Sequence, residues 1–481
     1  MKSIVFLIPP PKDLRKNPDR IFGCNYGFFS QHNVFMLYAA TSLKENGFEV
    51  AVLDCFKENL SLSAALKQPA DAYVFYSVFL SRESDLLAAE IAEKTKGKDT
   101  PIIFIGPDPT YYPGLYLTAS NRMVVRGEPE ETLLELVKNF PQGLKNISGL
   151  SWFCDGKIMD NPARHYLEDL DSLPFPDRRL YAKFQEYNNA KFSQLPSTVI
   201  LTSRGCTFRC YYCVPNSLSY ARELEWKQYH KEKPAVVKRS AQNVIQEFQE
   251  ISRLGFRAVS VLDDQFLWER ERTEEILRGI KDLHLEISIL ARPDLITDIE
   301  LGRLMAAAGI RHVALGVESF SQPILDYIGK DLKVESVEKA VDILKSCAIQ
   351  PEINILLGSC PLETMQTIED TFRKVEAMDI DIVHAQVCAP FPGTEFYFKA
   401  KENQWMVTDE YVPIDPAVDA LIAYPHLSRE ELISCIRQIH RRHYFKPTYL
   451  FKKLISVRSI LDFKEKIKTG QRMWQKFISF I

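Results

Sequence analysis

Ser203-Arg204-Gly205-Cys206-Thr207-Phe208-Arg209-Cys210-Tyr211-Tyr212-Cys213 is the stretch on which the reading of this 481-residue chain turns. Three of its ten cysteines stand here at C-x3-C-x2-C spacing. Thiolates so spaced on one short loop can each take one iron of a [4Fe-4S] cluster, whose soft iron sites prefer sulfur. Three thiolates leave the remaining iron with an open position, and open positions are where a metal does chemistry rather than structure. A structural zinc site would need a fourth ligand, typically from a second Cys or His pair. The nearest downstream histidine is His230, and no second C-x2-C occurs. Of the scattered cysteines, Cys55, Cys347 and Cys388 read as small core residues.

Composition narrows the setting. Hydrophobic residues make up 46% of the chain and charged residues 26%, with a net charge of −3. That balance suits a globular protein with a large core and gives no bulk electrostatic reason to bind nucleic acid. No run approaches the ~18 apolar residues of a membrane span. The apolar start Ile4–Ile8 runs straight into Pro9-Pro10-Pro11, too short for the core of a signal peptide. A cytoplasmic location is expected, where thiols stay reduced.

Working outward from the cysteines, the chain divides into four parts. Residues 196–395 alternate strands and helices in six β/α units, starting with a strand at Val199–Thr202 and ending with one at Ile382–Val387. Six units are too few for a closed eight-unit barrel, so a partial (β/α)6 barrel is expected, with its chemistry at the strand ends. Residues 1–145 show five apolar strands alternating with helices, which predicts a doubly wound, Rossmann-like parallel sheet of flavodoxin type. Between them, 146–195 reads as a linker containing Leu173-Pro174-Phe175-Pro176-Asp177. Residues 396–481 form a helical C-terminal region. Ser428 and Glu431 make a capping box there, and eleven Lys and Arg face two acids over 441–481.

The cysteine spacing after the first barrel strand, with Tyr212 just before the last cysteine, resembles the radical S-adenosylmethionine (radical SAM) superfamily. The resemblance implies that Cys206, Cys210 and Cys213 hold a [4Fe-4S] cluster whose open iron binds S-adenosylmethionine. One electron then cleaves that sulfonium to a 5′-deoxyadenosyl radical. Ser260-Val261-Leu262-Asp263-Asp264, Ala291-Arg292-Pro293-Asp294 and Leu315-Gly316-Val317-Glu318-Ser319 are similar to the family's segments after strands two, three and four. This implies Tyr212, Asp263, Arg292, Gly316 and Glu318 as S-adenosylmethionine contacts.

The first domain and its proline-rich connector resemble the cobalamin-binding subclass of that superfamily. Pro10, Ser77, Gly106, Asp108, Thr110, Gly127 and Glu128, all just past strand ends, are implied as cobalamin contacts. One departure stands out. Where relatives often carry Gly-Gly-x-His, this chain has Gly106-Pro107-Asp108, and it lacks a D-x-H-x-x-G motif. No histidine–cobalt bond is expected.

The resemblance implies an enzyme that uses S-adenosylmethionine, a [4Fe-4S] cluster and cobalamin, most often to methylate an unactivated carbon of a small-molecule or lipid-like substrate. Oxidative cyclisation or another rearrangement, and a non-catalytic iron–sulfur or cobalamin-binding regulator, are the alternatives. A methylthiotransferase would need a second three-cysteine set in the first domain, which has only Cys24 and Cys55. The partners implied are a flavodoxin- or ferredoxin-type electron donor and no nucleic acid. The basic, aromatic tail is a candidate for weak membrane-surface contact. His384 and Gln386 lie on the sixth strand and are candidates to face the substrate.

Overall fold

Short runs rich in Val, Ile and Phe, each leading into a helix, build two parallel sheets in succession. The computed structural model describes all residues except 14–16, 27–30, 190, 456–466, 468, 469, 472, 475 and 477–481. The first sheet contains β1 (Ser3–Ile8), β2 (Glu49–Asp54), β3 (Ala72–Tyr76), β4 (Ile102–Ile105), β5 (Arg122–Val125), β6 (Leu150–Cys154) and β7 (Lys157–Asp160), in the order β2-β1-β3-β4-β5-β6-β7. β1 to β5 are parallel. Helices α1 (Val34–Glu45), α2 (Arg82–Lys96), α3 (Pro107–Tyr111) and α4 (Pro129–Asn139) alternate with them. Because both faces are covered, β3 and β4 are apolar and buried along their whole length. β1 and β3 are neighbours from which the chain winds in opposite directions. Their carboxyl ends therefore flank the switch point where such sheets bind ligands.

The stretch 146–195 is not only a linker. Its first part adds the antiparallel strands β6 and β7 to the sheet edge. Asp155 and Gly156 join them with φ of 49° and 77°. A two-residue hairpin needs positive φ at both positions, and Asp-Gly supplies it cheaply. The rest of the stretch is pinned rather than slack. Arg178 is fully buried and donates to Glu247 (2.7 Å), Thr198 (2.9 Å) and the Val199 carbonyl (2.6 Å).

The second unit contains β8 (Ser197–Ile200), β9 (Ser203–Arg204), β10 (Val237–Lys238), β11 (Ala258–Val261), β12 (Glu286–Ala291), β13 (Ile310–Glu318), β14 (Gln350–Leu357) and β15 (Ile382–Val387). Six of these form an all-parallel open sheet in the order β15-β14-β13-β12-β11-β8, as expected for a partial barrel. β9 and β10 pair separately. Its helices are α5 (Ser217–His230), α6 (Ala241–Arg253), α7 (Arg270–Ile280), α8 (Ile299–Ala307), α9 (Val334–Ser346) and α10 (Met365–Ala377). Alternate strand residues such as Val313, Leu315, Ile353, Ile355 and Val383 join one core with Ile276, Leu301, Val337 and Phe372 of the helices. The intervening residues line the other, inner face.

The two units share a core. Val74, Tyr76 and Val125 of the first sheet cluster with Val199, Leu201, Leu218 and Leu262 of the second unit. The C-terminal region closes on the barrel edge. In α11 (Arg429–Tyr444), Leu432, Ile436 and Ile439 are buried, and the Tyr444 hydroxyl donates to the Val383 carbonyl at 2.8 Å. Helix α12 (Pro447–Ile455) follows. Among the described residues, no helix is long and apolar enough to cross a membrane. Much of the basic tail, including 456–466, lies outside the described residues.

Candidate functional site

The three cysteines lie on the loop that runs from β9 into α5. Gly205 opens it at φ +94°, with the Arg222 Nη1 atom only 3.2 Å from where a Cβ would stand. Asp264, just past β11, ties the two ends of the loop together. Its carboxylate accepts from the Gly205 N–H (3.1 Å), the Asn216 N–H (2.8 Å) and the Asn216 side-chain amide (2.9 Å). Asn216 in turn caps α5 by accepting from the Ser219 N–H. Tyr211 anchors the middle of the loop. Its N–H donates to the Ile328 carbonyl at 3.2 Å, its carbonyl accepts from Phe396 at 3.0 Å, and its hydroxyl donates to the Ser359 carbonyl.

Cys206, Cys210 and Cys213 are all free and partly exposed. Burial pushes the Cys206 thiol up to about 11 and that of Cys213 well above its usual value, and the neighbouring thiols add to both shifts. Lys233 pulls both back down, and it is held by Glu223 (3.2 Å) and the Phe208 carbonyl (3.2 Å). The thiols therefore feel one another's charge, as donors to one polynuclear cation should. Among the described residues, no three His, Cys, Asp or Glu side chains are already converged on one metal position. Metal sites rarely stand preformed, and binding draws the donors together. The three thiols, which metal binding would deprotonate, the loop stapled at both ends and the cation beside it fit an iron–sulfur cluster.

The implied S-adenosylmethionine contacts divide into two groups. Tyr212, Gly316 and Glu318 come together at the carboxyl end of β13. Glu318 sits at φ +66°, beside a register shift between β13 and β14, and accepts from Lys330 Nζ at 2.9 Å. A Cβ on Gly316 would stand 3.0 Å from that ammonium and 3.1 Å from the Glu318 carboxylate. Burial pushes the Tyr212 hydroxyl well up, and the Glu318 charge adds to it. A positive φ on a glutamate is a strained conformation of the kind that clusters at functional sites.

Asp263 and Arg292 lie apart from that group and have internal partners. Asp263 is buried and accepts from the Thr202 N–H at 2.6 Å, from the Ser203 hydroxyl at 2.8 Å and from the Thr202 hydroxyl. Arg292 donates to Asp294 (3.0 Å) and to the Lys330 (2.6 Å) and Asp331 (2.7 Å) carbonyls, with its guanidinium 3.6 Å from the centre of the Phe208 ring. Both side chains are spent on positioning the cysteine loop and its neighbours. Sequence reading gave no role to Asn216, Tyr211 and Lys330, and quoted Asp264 only within the stretch after strand two. Only Asn216, a good N-cap ahead of a helical stretch, carried a signal that could have been read.

At the carboxyl edge of the first sheet, most of the implied cobalamin residues already have partners. Asp108 is fully buried, paired with Arg82 and accepting from the Tyr116 hydroxyl. Thr110 donates to the Gly106 carbonyl at 2.7 Å and accepts from the Gly127 N–H at 3.1 Å. Glu128 accepts from Arg204 at 2.7 Å and from the Leu167 N–H at 2.8 Å. Pro10 follows β1 and is half-buried. Ser77 differs. Its hydroxyl is buried, has no hydrogen-bond partner among the described residues, and lies at the switch point beside Gly106, where a Cβ would fall 2.5 Å from the Ser77 carbonyl. The ring of Tyr411 lies against Phe79 and Phe391, and its buried hydroxyl is also unpartnered among the described residues. Orphaned buried hydroxyls between two domains fit a polar ligand.

Three comparisons with known proteins bear on this geometry. Residues 200–375 match the family model of the radical SAM superfamily. A relative from Pyrococcus horikoshii, named as an uncharacterized methyltransferase, is 27% identical over 464 residues, covering 94% of each chain. Among solved structures, the radical S-adenosylmethionine methyltransferase TsrM from Kitasatospora setae, with cobalamin and a [4Fe-4S] cluster bound, superposes with a TM-score of 0.65. It is 18% identical, over 90% of this chain and 84% of that one. The cobalamin-dependent S-adenosylmethionine radical enzyme OxsB gives a TM-score of 0.71 at 14% identity, over 99% of this chain and 71% of that one. At these identities the structures speak for the fold. Residues 200–375 are a radical SAM domain, carried in a chain that shares the α/β fold of the cobalamin-dependent radical SAM enzymes.

Proposed function

We propose that the protein is a cobalamin-using radical SAM methyltransferase that acts on a carbon of a small-molecule substrate. The observation that carries this is the stapled loop presenting Cys206, Cys210 and Cys213 at the mouth of an open parallel barrel. Those three thiolates would hold the [4Fe-4S] cluster, and Tyr212, Gly316, Glu318 and Lys330 would frame S-adenosylmethionine beside it. When bound, the cluster supplies the single electron that turns S-adenosylmethionine into a source of a hydrogen-abstracting carbon radical. The chain's own part is positional. Asp264 and Tyr211 keep the loop closed, Arg292 stacks on Phe208 behind it, and Glu318 offers an acceptor for an ammonium group while Lys330 offsets its charge. Cobalamin, a methyl carrier when bound, would sit at the carboxyl edge of the first sheet near Ser77. Support comes from the shared fold with TsrM and OxsB and from the unpartnered Ser77 hydroxyl. One three-cysteine set leaves the electron to come from an external flavodoxin- or ferredoxin-type donor.

The test is anaerobic purification with cobalamin supplied, followed by iron–sulfide reconstitution. About four irons, about one cobalt per chain and reductant-dependent 5′-deoxyadenosine are expected. Replacing the three cysteines by alanine should remove the iron and the 5′-deoxyadenosine. Wild-type protein that holds iron but makes no 5′-deoxyadenosine refutes the radical reading. Protein that makes it without holding cobalt refutes the cobalamin reading alone.

A further inference from the structure

The inner face of the barrel sheet carries a pattern that the cluster site does not use. On β14 and β15 the outward residues Ile353, Ile355, Leu357, Val383, Ala385 and Val387 are all at most 2% exposed. The inward residues between them, Asn354, Leu356, His384 and Gln386, are partly or largely exposed. Across β13, inward Ala314 and Gly316 are too small to fill the space. Asn354 pairs in register with Gly316 on one side and with His384 on the other, and Leu356 pairs with Gln386. Solvent therefore reaches the middle of the barrel from the β15 side.

Deeper in, the same face is closed by charge. His312 Nε2 lies 3.3 Å from Glu286, and its Nδ1 lies 3.7 Å from Glu352. Lys191 Nζ stands 3.2 Å from Glu352, and His384 Nε2 stands 3.8 Å from the other Glu352 oxygen. Glu286, His312 and Glu352 are buried, so the cavity has a fixed floor. Its wall is different. Among the described residues the Asn354 and Gln386 amides make no hydrogen bond, and His384 faces Glu352. Two amides able both to donate and to accept thus line one accessible wall with their capacity unspent, beside an imidazole whose Nε2 faces Glu352. Burying a hydrocarbon chain against them would strip their water without replacement, which disfavours an apolar occupant.

We infer that this inner face is the substrate cavity, and that Asn354, His384 and Gln386 select a water-soluble, hydrogen-bonding substrate over a lipid-like one. The inference rests on the radical SAM reading only for the name "substrate"; the cavity's polarity stands on the geometry. His384, with Glu352 behind it, is the specificity-determining residue at the centre of the wall.

The experiment uses the full chain as purified and reads binding rather than turnover. Diethyl pyrocarbonate labels accessible imidazoles, and peptide mass spectrometry reports each site. His384 and His165, with side chains 53% and 57% exposed, should both react. A cell extract is partitioned between water and chloroform, and each phase is supplied separately. The aqueous phase should protect His384 by at least about fivefold and leave His165 unprotected. Asn354→Leu and Gln386→Leu, which keep size and remove hydrogen bonding, should each abolish that protection while far-UV circular dichroism stays native. Protection by the chloroform phase alone, by neither phase, or equally in the leucine variants overturns the inference. Absence of 5′-deoxyadenosine in the reconstituted enzyme would sink the radical reading and leave these outcomes untouched.

Discussion

Glu363 shows how a single residue ties the barrel mouth to pH. Its carboxylate is fully buried and accepts from the Gly358 N–H, and burial pushes it up to about 8. The folded chain thus keeps a proton that the unfolded chain releases near the ordinary value of 4.5. Stability from this group is complete below that value and is lost as pH rises toward 8, because the native state then binds more protons than the unfolded one. Glu363→Gln removes the titration and keeps the acceptor. Urea unfolding at pH 5.5 and pH 8 should show a smaller difference between the two conditions in the variant than in the wild type; an unchanged difference would rule out a protonated Glu363. At this scale the cysteines were legible because their chemistry lies in their spacing. The internal partners of Asp263 and Arg292 were not, since residue type alone does not name them. Only the folded neighbourhood distinguishes a carboxylate facing a ligand from one facing Thr202.

Elements whose ends are written in local chemistry were read closely. The Ser428–Glu431 capping box starts α11 where the sequence places it, with the Ser428 hydroxyl accepting from the Glu431 N–H at 3.2 Å and the Glu431 carboxylate accepting from the Ser428 N–H at 2.7 Å. Ser428→Ala should cost about 1 kcal/mol in thermal or chemical unfolding. It should also speed amide exchange in the first turn of α11; unchanged exchange there would show that packing against β15 alone sets the helix start. The helix α5 was not foreseen, because it follows the cysteine loop without a clear apolar period and is buried on several sides against both domains. The β6–β7 hairpin was legible in principle from Asp155-Gly156. It was obscured because its second strand is exposed throughout and lacks an apolar alternation.

For the whole molecule, the seam between the two sheets is an ion-pair network. Arg204 of the barrel pairs with Glu128 and Glu130 of the first domain, both at 2.7 Å, and Arg126 of the first domain pairs with Glu225 of α5 at 2.9 Å. All five side chains are nearly fully buried. Breaking such a network by removing one partner leaves uncompensated charge, whereas replacing the set with apolar groups is often neutral. Arg204→Met should cost about 3 kcal/mol in urea unfolding. The triple variant with Glu128→Gln and Glu130→Gln should recover much of that loss; no recovery would show that Arg204 acts through packing. Because Arg204 lies two residues from Cys206, the seam also sets where the first domain's carboxyl edge stands relative to the cluster loop.

The residues by themselves determined the two α/β units, the open six-strand barrel and the three-thiolate loop, because hydrophobic period, caps and cysteine spacing are local properties of a chain. Tertiary structure alone decided which carboxylates and guanidinia are free to meet a ligand. It gave Asp108, Asp263 and Arg292 internal partners, left Ser77 unpaired among the described residues, and lined up Asn354, His384 and Gln386 across two strands. Burial and hydrogen-bond satisfaction depend on neighbours brought from tens to hundreds of residues away, and no window of sequence contains them.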